Sequence, residues 1–314
     1  MKKALVIGAS GGMGYALVKE LVKRKFEVVA FARREEKLKE LFQHLDSVKI
    51  VSGDARNIEM IIEAAAQVDI IFHALNLPYH QWENDLITIT ENIVQAAEQT
   101  QAKLAVVDNI YAYGSSSGRP IMEDKPKMPT TKKGRLRMEM GKVVDQAKIP
   151  AFICHFPDFY GPNADNTYMH FTLEQLLTKK RAGYIGRKEI PREFLYTYDG
   201  AQIMVDLALD VYAYGQSWNV PAIKPITGKT LEGLVKTLLG EEKRFYFITG
   251  KMFQFLGLFA GRDIREASEL QYINEEATIL CGDKLKKFLP KATWTSYEQG
   301  LTETIEHMKS LRQQ

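Results

Sequence analysis

Cysteine is nearly missing from this sequence: 314 residues contain two, Cys154 and Cys281, each inside an apolar stretch. A disulfide framework would need more, so a reducing cytoplasm is the expected location. Long hydrophobic runs are missing too. No segment reaches the roughly 18 apolar residues that span a bilayer, and no membrane partner is expected. Met1-Lys2-Lys3 followed by Ala4–Ile7 imitates a secretory leader, but the apolar run is too short for one. Charge of one sign is not in excess, with 42 Lys and Arg against 39 Asp and Glu. That balance argues against a nucleic-acid partner, which needs a concentrated basic face. The one dense basic stretch, Lys132-Lys133-Gly134-Arg135-Leu136-Arg137, reads as a solvated helix start or as a contact for cofactor phosphate. Internal repeats and low-complexity tracts are absent, and no metal site is expected. The 45% of hydrophobic residues suffice for one large domain or two modest ones.

What is present begins at the amino terminus. Residues 4–14 read Ala-Leu-Val-Ile-Gly8-Ala-Ser10-Gly11-Gly12-Met13-Gly14. An apolar strand, Lys3–Ile7, runs into a glycine-rich turn. Behind the turn, Met13, Leu17 and Leu21 with Val18 and Val22 form one apolar helical stripe. Glycines let backbone approach a pyrophosphate closely, and the free N–H groups of a helix N-terminus attract the anion. The spacing Gly8-x-x-Gly11-x-x-Gly14 differs from Gly-x-Gly-x-x-Gly, but the strand–helix context is that of a dinucleotide site.

Short apolar strands then alternate with amphipathic helices. Strands are predicted at Lys3–Ile7, Glu27–Phe31, Val48–Val51, Asp69–Ala74, Leu104–Val107 and Ala151–His155. Between them, apolar residues recur at the helical period: Leu38, Leu41, Phe42 and Leu45; Ile58, Ile61, Ile62 and Ala65; Leu86, Ile93, Val94 and Ala97; Leu136, Met140, Val143, Val144 and Ala147. This alternation predicts an α/β fold, a doubly wound parallel sheet with ligand at the carboxyl ends of its strands. The rhythm breaks at Gly114–Thr130, a connection long enough to be functional or disordered, and again after Phe156. Asp199-Gly200-Ala201-Gln202 reads as a capping box opening a helix that carries Met204, Val205, Ala208 and Val211. A strand is predicted at Ser217–Val220. Phe245–Ala260 reads as an amphipathic core helix, or as a lid over an apolar substrate.

NAD-specific sites place an acidic side chain near the end of the second strand, where it holds ribose hydroxyls. Here that strand ends Ala30-Phe31-Ala32-Arg33-Arg34, without a carboxylate. Arginine offers a planar, fixed charge for a 2′-phosphate. NADP(H) is therefore expected over NAD(H), with Arg33 as main contact, Ser10 and Arg34 as helpers, and the backbone of Gly8, Gly11, Gly12, Met13 and Gly14 on the pyrophosphate. Asp54 and Ala55, after the third strand, read as an adenine contact or as a plain Asp turn. The fourth strand ends Phe72-His73-Ala74-Leu75-Asn76, and its last three residues are expected beside the cofactor riboses. His73 reads as a proton carrier or as a packed histidine.

Together with Ala112-Tyr113-Gly114, Phe159-Tyr160-Gly161-Pro162 and Arg192-Glu193-Phe194-Leu195-Tyr196, these segments resemble the extended short-chain dehydrogenase/reductase superfamily, in its NAD-dependent epimerase/dehydratase branch. The resemblance covers nearly the whole chain. It implies a Rossmann fold over 1–160 plus about 194–220, and a smaller C-terminal substrate domain over about 161–193 and 221–314. It also implies oxidation and re-reduction, or epimerisation, of a sugar nucleotide or related alcohol. Family members use a Tyr-x-x-x-Lys pair on the fifth helix and a Ser or Thr after the fifth strand. The matching positions here are Thr131, Arg135 and Asn109, so the usual proton-transfer pair is missing. A threonine hydroxyl is a far poorer acid than a phenol, whose pKa is about 10. Arg135 keeps a charge that can hold a ribose, and Asn109 can still donate to a carbonyl oxygen.

Tyr111, beside Asp108 and Asn109, reads as a substitute acid or as an aromatic packed beneath the long loop. Asp158 stands where the family usually has asparagine, and His155 where it usually has arginine. They read as an acid–base pair or as structural residues. Arg192 is placed to meet an anionic substrate group, or is an ordinary surface charge. The stretches from Asn76 to Trp82, Asp108 to Gly114 and Pro129 to Arg135 look like a subgroup of epimerase-like proteins with the same triad positions altered. Two functions follow. One is an NADP(H)-dependent oxidoreductase or epimerase for a small carbonyl, alcohol or sugar-nucleotide-like substrate. The other is a cofactor-binding sensor without turnover. Dimers are common in the superfamily, and the helix at Asp85–Thr100 has no exposed apolar face that decides between monomer and homodimer.

Overall fold

The computed structural model of the chain describes residues 2–250, 252, 266 and 268–313. The chain divides into two contact-dense units. The first comprises Met1–Asn109, Leu136–His155 and Gly200–Trp218; the second comprises Ile110–Arg135, Phe156–Asp199 and Asn219–Gln314. Residues 110–135 thus group with the second unit.

The strands are β1 (Lys3–Ile7), β2 (Glu27–Ala32), β3 (Val48–Ser52), β4 (Ile70–His73), β5 (Lys103–Asn109), β6 (Ala151–Phe156), β7 (Asp158–Tyr160), β8 (Arg181–Ile185), β9 (Pro191–Arg192), β10 (Phe194–Tyr196), β11 (Gln216–Asn219), β12 (Ile226–Thr227) and β13 (Arg244–Ile248). Seven of them form one sheet in the order β11-β6-β5-β4-β1-β2-β3. Pairing is parallel between β1 and β2, β1 and β4, β2 and β3, and β4 and β5. Central β1 is covered on both faces, with Ala4, Leu5, Val6 and Ile7 all at 0% exposure, the burial a doubly wound sheet imposes on its middle strand. The strand order reverses between β1 and β4, the place where sheets of this kind bind ligands at the carboxyl ends of their strands.

The helices α1 (Gly12–Lys23), α2 (Glu35–Phe42), α3 (Ile58–Ala64), α4 (Trp82–Thr100) and α5 (Lys132–Asp145) follow the first five strands in turn. Each forms where the apolar period predicts it. In α1 the buried face is Met13, Ala16, Leu17, Val18 and Leu21. Asn57 starts α3 by accepting from the N–H groups of Glu59 and Met60, as a good N-cap does.

The second unit is built from small paired strands. β7 lies parallel to β10 and β8 parallel to β13, while β9 and β12 are antiparallel. Its core is aromatic, with Tyr160, Tyr184, Phe194, Tyr196 and Tyr297 packed among Leu173, Leu231 and Leu301. Two expectations are corrected here. Phe245–Ile248 is neither core helix nor lid but part of β13, with Phe245 opposite Ala182 and Tyr246 opposite Gly183. Phe245 is buried between exposed Arg244 and Tyr246, as the two-residue period of a strand requires; residues 253–260 lie outside the described residues. Asp199 does not cap its helix, because α6 (Thr197–Leu209) already starts at Thr197. Its carboxylate instead accepts from the Thr295 N–H at 2.8 Å and the Thr295 hydroxyl at 2.7 Å, and it still sits in the first turn, where the helix dipole favours a negative charge.

The long connection Gly114–Thr130 is tied down. The Glu276 carboxylate accepts from the Ser115 hydroxyl at 2.7 Å and the Ser116 N–H at 2.8 Å. Ile121 donates to the Ile279 carbonyl, and Cys281 donates back to that of Ile121, each at 2.8 Å. Glu276→Ala removes two charge-assisted hydrogen bonds and is expected to loosen this stretch by about 1–3 kcal/mol. Hydrogen exchange should accelerate at Ser116–Ile121 and stay unchanged in β1–β5; equal acceleration in both would contradict the local role.

Candidate functional site at the carboxyl ends of the sheet strands

The turn after β1 is closed by backbone. Gly8, at φ 87°, lies in the left-handed region that favours glycine. Its N–H donates to the Phe31 carbonyl at 2.9 Å, and Gly11 donates to the Gly8 carbonyl at 3.1 Å. A Cβ on Gly14 would lie 2.1 Å from the Gly8 oxygen, and one on Gly8 would lie 2.6 Å from Leu75 backbone, whereas one on Gly11 meets nothing nearer than 3.5 Å. Gly12 opens α1 with no side-chain cap and no acidic residue in the first turn. The positive end of the helix therefore faces the turn with no acidic side chain of its own first turn against it. Ser10 is half-buried in the turn, Gly12 is half-buried and Met13 is buried.

At the neighbouring end of β2, Arg33 and Arg34 are both exposed, and the Ser52 hydroxyl fixes the Arg33 carbonyl at 3.0 Å. After β3, the Asp54 carboxylate accepts from the N–H of Arg56 at 3.0 Å and from its guanidinium at 3.1 Å. It therefore forms the Asp turn, one of its two sequence readings. Arg56 also reaches Asp85 at 2.6 Å and, with a smaller contribution from Arg33, holds that carboxyl below its usual range. Ala55 is buried, and its carbonyl accepts from Asn92 at 3.0 Å.

The ends of β4, β5 and β6 meet at Asp108, whose side chain is 0% exposed. It pairs with the Arg137 guanidinium at 3.3 Å and with His155 Nδ1 at 3.5 Å, and it accepts from the Asn109 N–H at 2.7 Å. Burial alone would raise the Asp108 pKa; the His155 hydrogen bond and the Arg137 charge outweigh it and hold the carboxyl below its ordinary value. Arg137 also donates to the Asn76 side-chain oxygen at 3.1 Å and stacks 4.2 Å from the Trp82 ring centre. Asn76 is thus held by a buried cation that sequence reading left inside a basic run.

His73, at the end of β4, is 1% exposed, and neither ring nitrogen has a hydrogen-bond partner among the described residues. Burial, and then the Arg137 charge, lower its pKa to about 4. The imidazole is neutral at pH 7, with two unmet polar atoms beside Ala74, Leu75 and Asn76.

The residues matched to the family's catalytic positions have these places. Tyr111 is half-buried and opens a single 3-10 turn, Tyr111–Tyr113. The Thr131 hydroxyl accepts from the Gly134 N–H at 3.0 Å, capping α5. Arg135 is exposed and donates to the Thr130 carbonyl at 3.1 Å. Asn109 is held through its backbone, its N–H by Asp108 and its carbonyl by His155 Nδ1 at 3.2 Å.

The basic run is not simply a solvated helix start. Lys133 and Arg137, one turn apart, are 1% and 4% exposed. Lys133 pairs with Glu266 and Glu269, and Glu269 also accepts from the Lys132 and Lys133 N–H groups. His155 and Asp158 each have another partner: His155 takes Asp108, and Asp158 takes Arg192. Arg192 is not a surface charge, being 3% exposed. Among the described residues no cluster of His, Cys, Asp or Glu is arranged for a metal, and no helix is long and apolar enough to cross a membrane.

Two measurements check this geometry. Gly14→Ala must displace the Gly8 carbonyl and is expected to cost about 1–3 kcal/mol in urea unfolding, whereas Gly11→Ala should cost under about 1 kcal/mol. Equal losses would refute the steric argument. His73 titrates near 6.5 in the unfolded chain and about 4 in the folded one. Between those values the unfolded chain binds a proton that the folded chain does not, so stability falls as pH drops. The loss is about 3 kcal/mol. His73→Leu should flatten that part of the stability profile.

Residues 8–135 match a family model described as NAD(P)H-binding. Over 126 residues, 39% of this chain, the sequence is 29% identical to the glutamyl-tRNA reductase of Helicobacter pylori (strain Shi470), spanning about a quarter (27%) of that protein. Across its whole length the chain is similar in structure to dTDP-glucose 4,6-dehydratase from Bacillus anthracis str. Ames in complex with NAD, with a TM-score of 0.80, 16% identity, and coverage of 100% of this chain and 98% of that one. It is similar also to UDP-glucuronic acid 4-epimerase from Bacillus cereus in complex with UDP-glucuronic acid and NAD, with a TM-score of 0.80, 18% identity, and coverage of 98% and 99%. At these identities the likeness is one of fold. Residues 8–135 thus resemble an NAD(P)H-binding domain, and the chain as a whole shares the Rossmann-type α/β fold of these two structures.

Proposed function

We propose that the chain is an NADP(H)-binding oxidoreductase or epimerase that acts on a small carbonyl, alcohol or sugar-nucleotide-like compound with non-standard catalytic residues. The carrying observation is the end of β1: a turn too tight for side chains at Gly8 and Gly14 leads into the uncapped N-terminus of α1. Backbone from Gly8 through Ser10, Gly11, Gly12, Met13 and Gly14 would hold the pyrophosphate. Arg33, with Ser10 and Arg34, would hold a 2′-phosphate. Ala74, Leu75 and Asn76 would flank the riboses, and the orphan nitrogens of His73 would gain partners in a bound hydroxyl or amide. Asp54 and Ala55 would edge the adenine. When bound, the nicotinamide supplies or accepts a hydride.

In this reading the protein's own groups position and move the proton. Asn109 donates to the substrate oxygen, held by a backbone that Asp108 and His155 clamp on both sides. Tyr111 is the proton donor, since the Thr131 hydroxyl is engaged as a helix cap and is a weak acid. Arg135 keeps a charge free for the ribose. The sensor reading is favoured by one observation: α5 contains no tyrosine at all. Tyr111→Phe should abolish any hydride exchange found with a panel of carbonyls and alcohols. Failure across the panel, with cofactor binding intact, favours the sensor.

Fluorescence titration should show tighter binding of NADPH than of NADH. Arg33→Ala should weaken NADPH by about tenfold or more and leave NADH unchanged. Tighter NADH, or an unaffected variant, defeats the assignment.

A further inference from the structure

Arg192 is the side chain that the sequence offers to an anionic substrate group, and its surroundings in the second unit leave it little to offer. Its Nη1 donates to the Ile185 carbonyl at 2.6 Å, and its Nη2 donates to Asp158. The guanidinium carbon lies 5.0 Å from the Phe194 ring centre, 5.4 Å from that of Tyr168 and 6.0 Å from that of Tyr184. Gly186, at φ 128°, faces it from the end of β8, where an added Cβ would stand 3.2 Å from Nη1. Aromatic faces, a carbonyl and glycine backbone therefore take up the sides of the group, and a carboxylate takes up its remaining edge.

The two partners are unequally exposed. The Arg192 side chain is 3% exposed and that of Asp158 is 22% exposed. An anion approaching from solvent thus meets the carboxylate before the guanidinium. To reach Arg192 it must displace a charge-assisted partner that is already in place and preorganised, and do so against like-charge repulsion. The positive charge is spent inside the protein, and the partner nearer solvent is the carboxylate.

We propose that Asp158 is a specificity residue. By neutralising Arg192 and presenting its own carboxylate, it turns away nucleoside diphosphates, so that this chain takes a small carbonyl or alcohol without a phosphate handle. This narrows the substrate class of the function proposed above and rests on that reading. It separates the chain from the epimerase of the same fold that is seen with UDP-glucuronic acid.

The test is calorimetric titration of UDP and UDP-glucose into the full chain at low salt, for the native protein, Asp158→Asn and Asp158→Ser. The native protein should show no binding at millimolar ligand. Asp158→Asn, nearly isosteric and still able to accept from Arg192, should gain affinity for both ligands by at least about tenfold, and raised salt should erase the gain. Native binding that Asp158→Asn leaves unchanged overturns the proposal, as does a folded Asp158→Asn that gains nothing. Should Asp158→Asn fail to fold, Asp158→Ser is judged by the same criterion; should both fail, native binding of UDP-glucose alone decides against the proposal and its lack decides for it. NADPH titration of the same samples separates the two layers. A native protein that ignores NADPH removes the cofactor reading, while the UDP comparison still judges Asp158.

Discussion

The buried carboxylate of Asp108 is the constraint on which the sheet end depends. Parallel strands diverge into loops at their carboxyl ends, and nothing in their own hydrogen bonding fixes those loops relative to each other. Asp108 supplies the missing constraint by taking Arg137 from α5, His155 from β6 and the backbone of Asn109. Arg137 carries the tie on to Asn76 after β4. Removing one partner of such a network leaves a buried charge uncompensated, a loss of about 3–5 kcal/mol. The positions proposed for ribose and for substrate oxygen are thereby held by one electrostatic knot rather than by loop packing.

Charge in this protein is sorted into spent and available. Asp108 with Arg137, Lys133 with Glu266, and Asp158 with Arg192 are satisfied internally. Glu193 belongs with them, since burial pushes its carboxyl up to about 8, making it mostly neutral at pH 7, and it accepts from the Leu280 N–H at 2.8 Å. Arg33, Arg34 and Arg135 remain at the surface. Net charge would not reveal this sorting, because it counts both kinds alike.

Much of the fold was readable from periodicity. The strand β1 falls where its apolar run predicts, and α1 to α5 follow their apolar stripes, because burial on a regular element imprints a regular pattern. The glycine turn was readable because close backbone approach demands glycine. The knot was not readable. Arg137 sits in a basic run, and its burial depends on Asp108, a residue distant in sequence. Lys133 hides in the same run for the same reason, its partners Glu266 and Glu269 lying near the other end of the chain. Phe245–Ile248 was misread because a short aromatic run has no decisive period, and its partner strand β8 lies far upstream. Asp199 was misread because Thr197, two residues earlier, starts the helix instead.

The two units are interleaved along the chain, which leaves the first at Ile110, returns at Leu136, leaves again at Phe156, returns at Gly200 and finally departs at Asn219. This order matters at the ribosome. Synthesis delivers β1 to β5 early, but the edge strand β11 emerges only after two excursions into the other unit. The stretch Gly114–Thr130 must wait longer still, for Glu276, Ile279 and Cys281. Domains assemble as their residues appear, so the Glu276, Ile279 and Cys281 ties on this stretch close only after both excursions are complete.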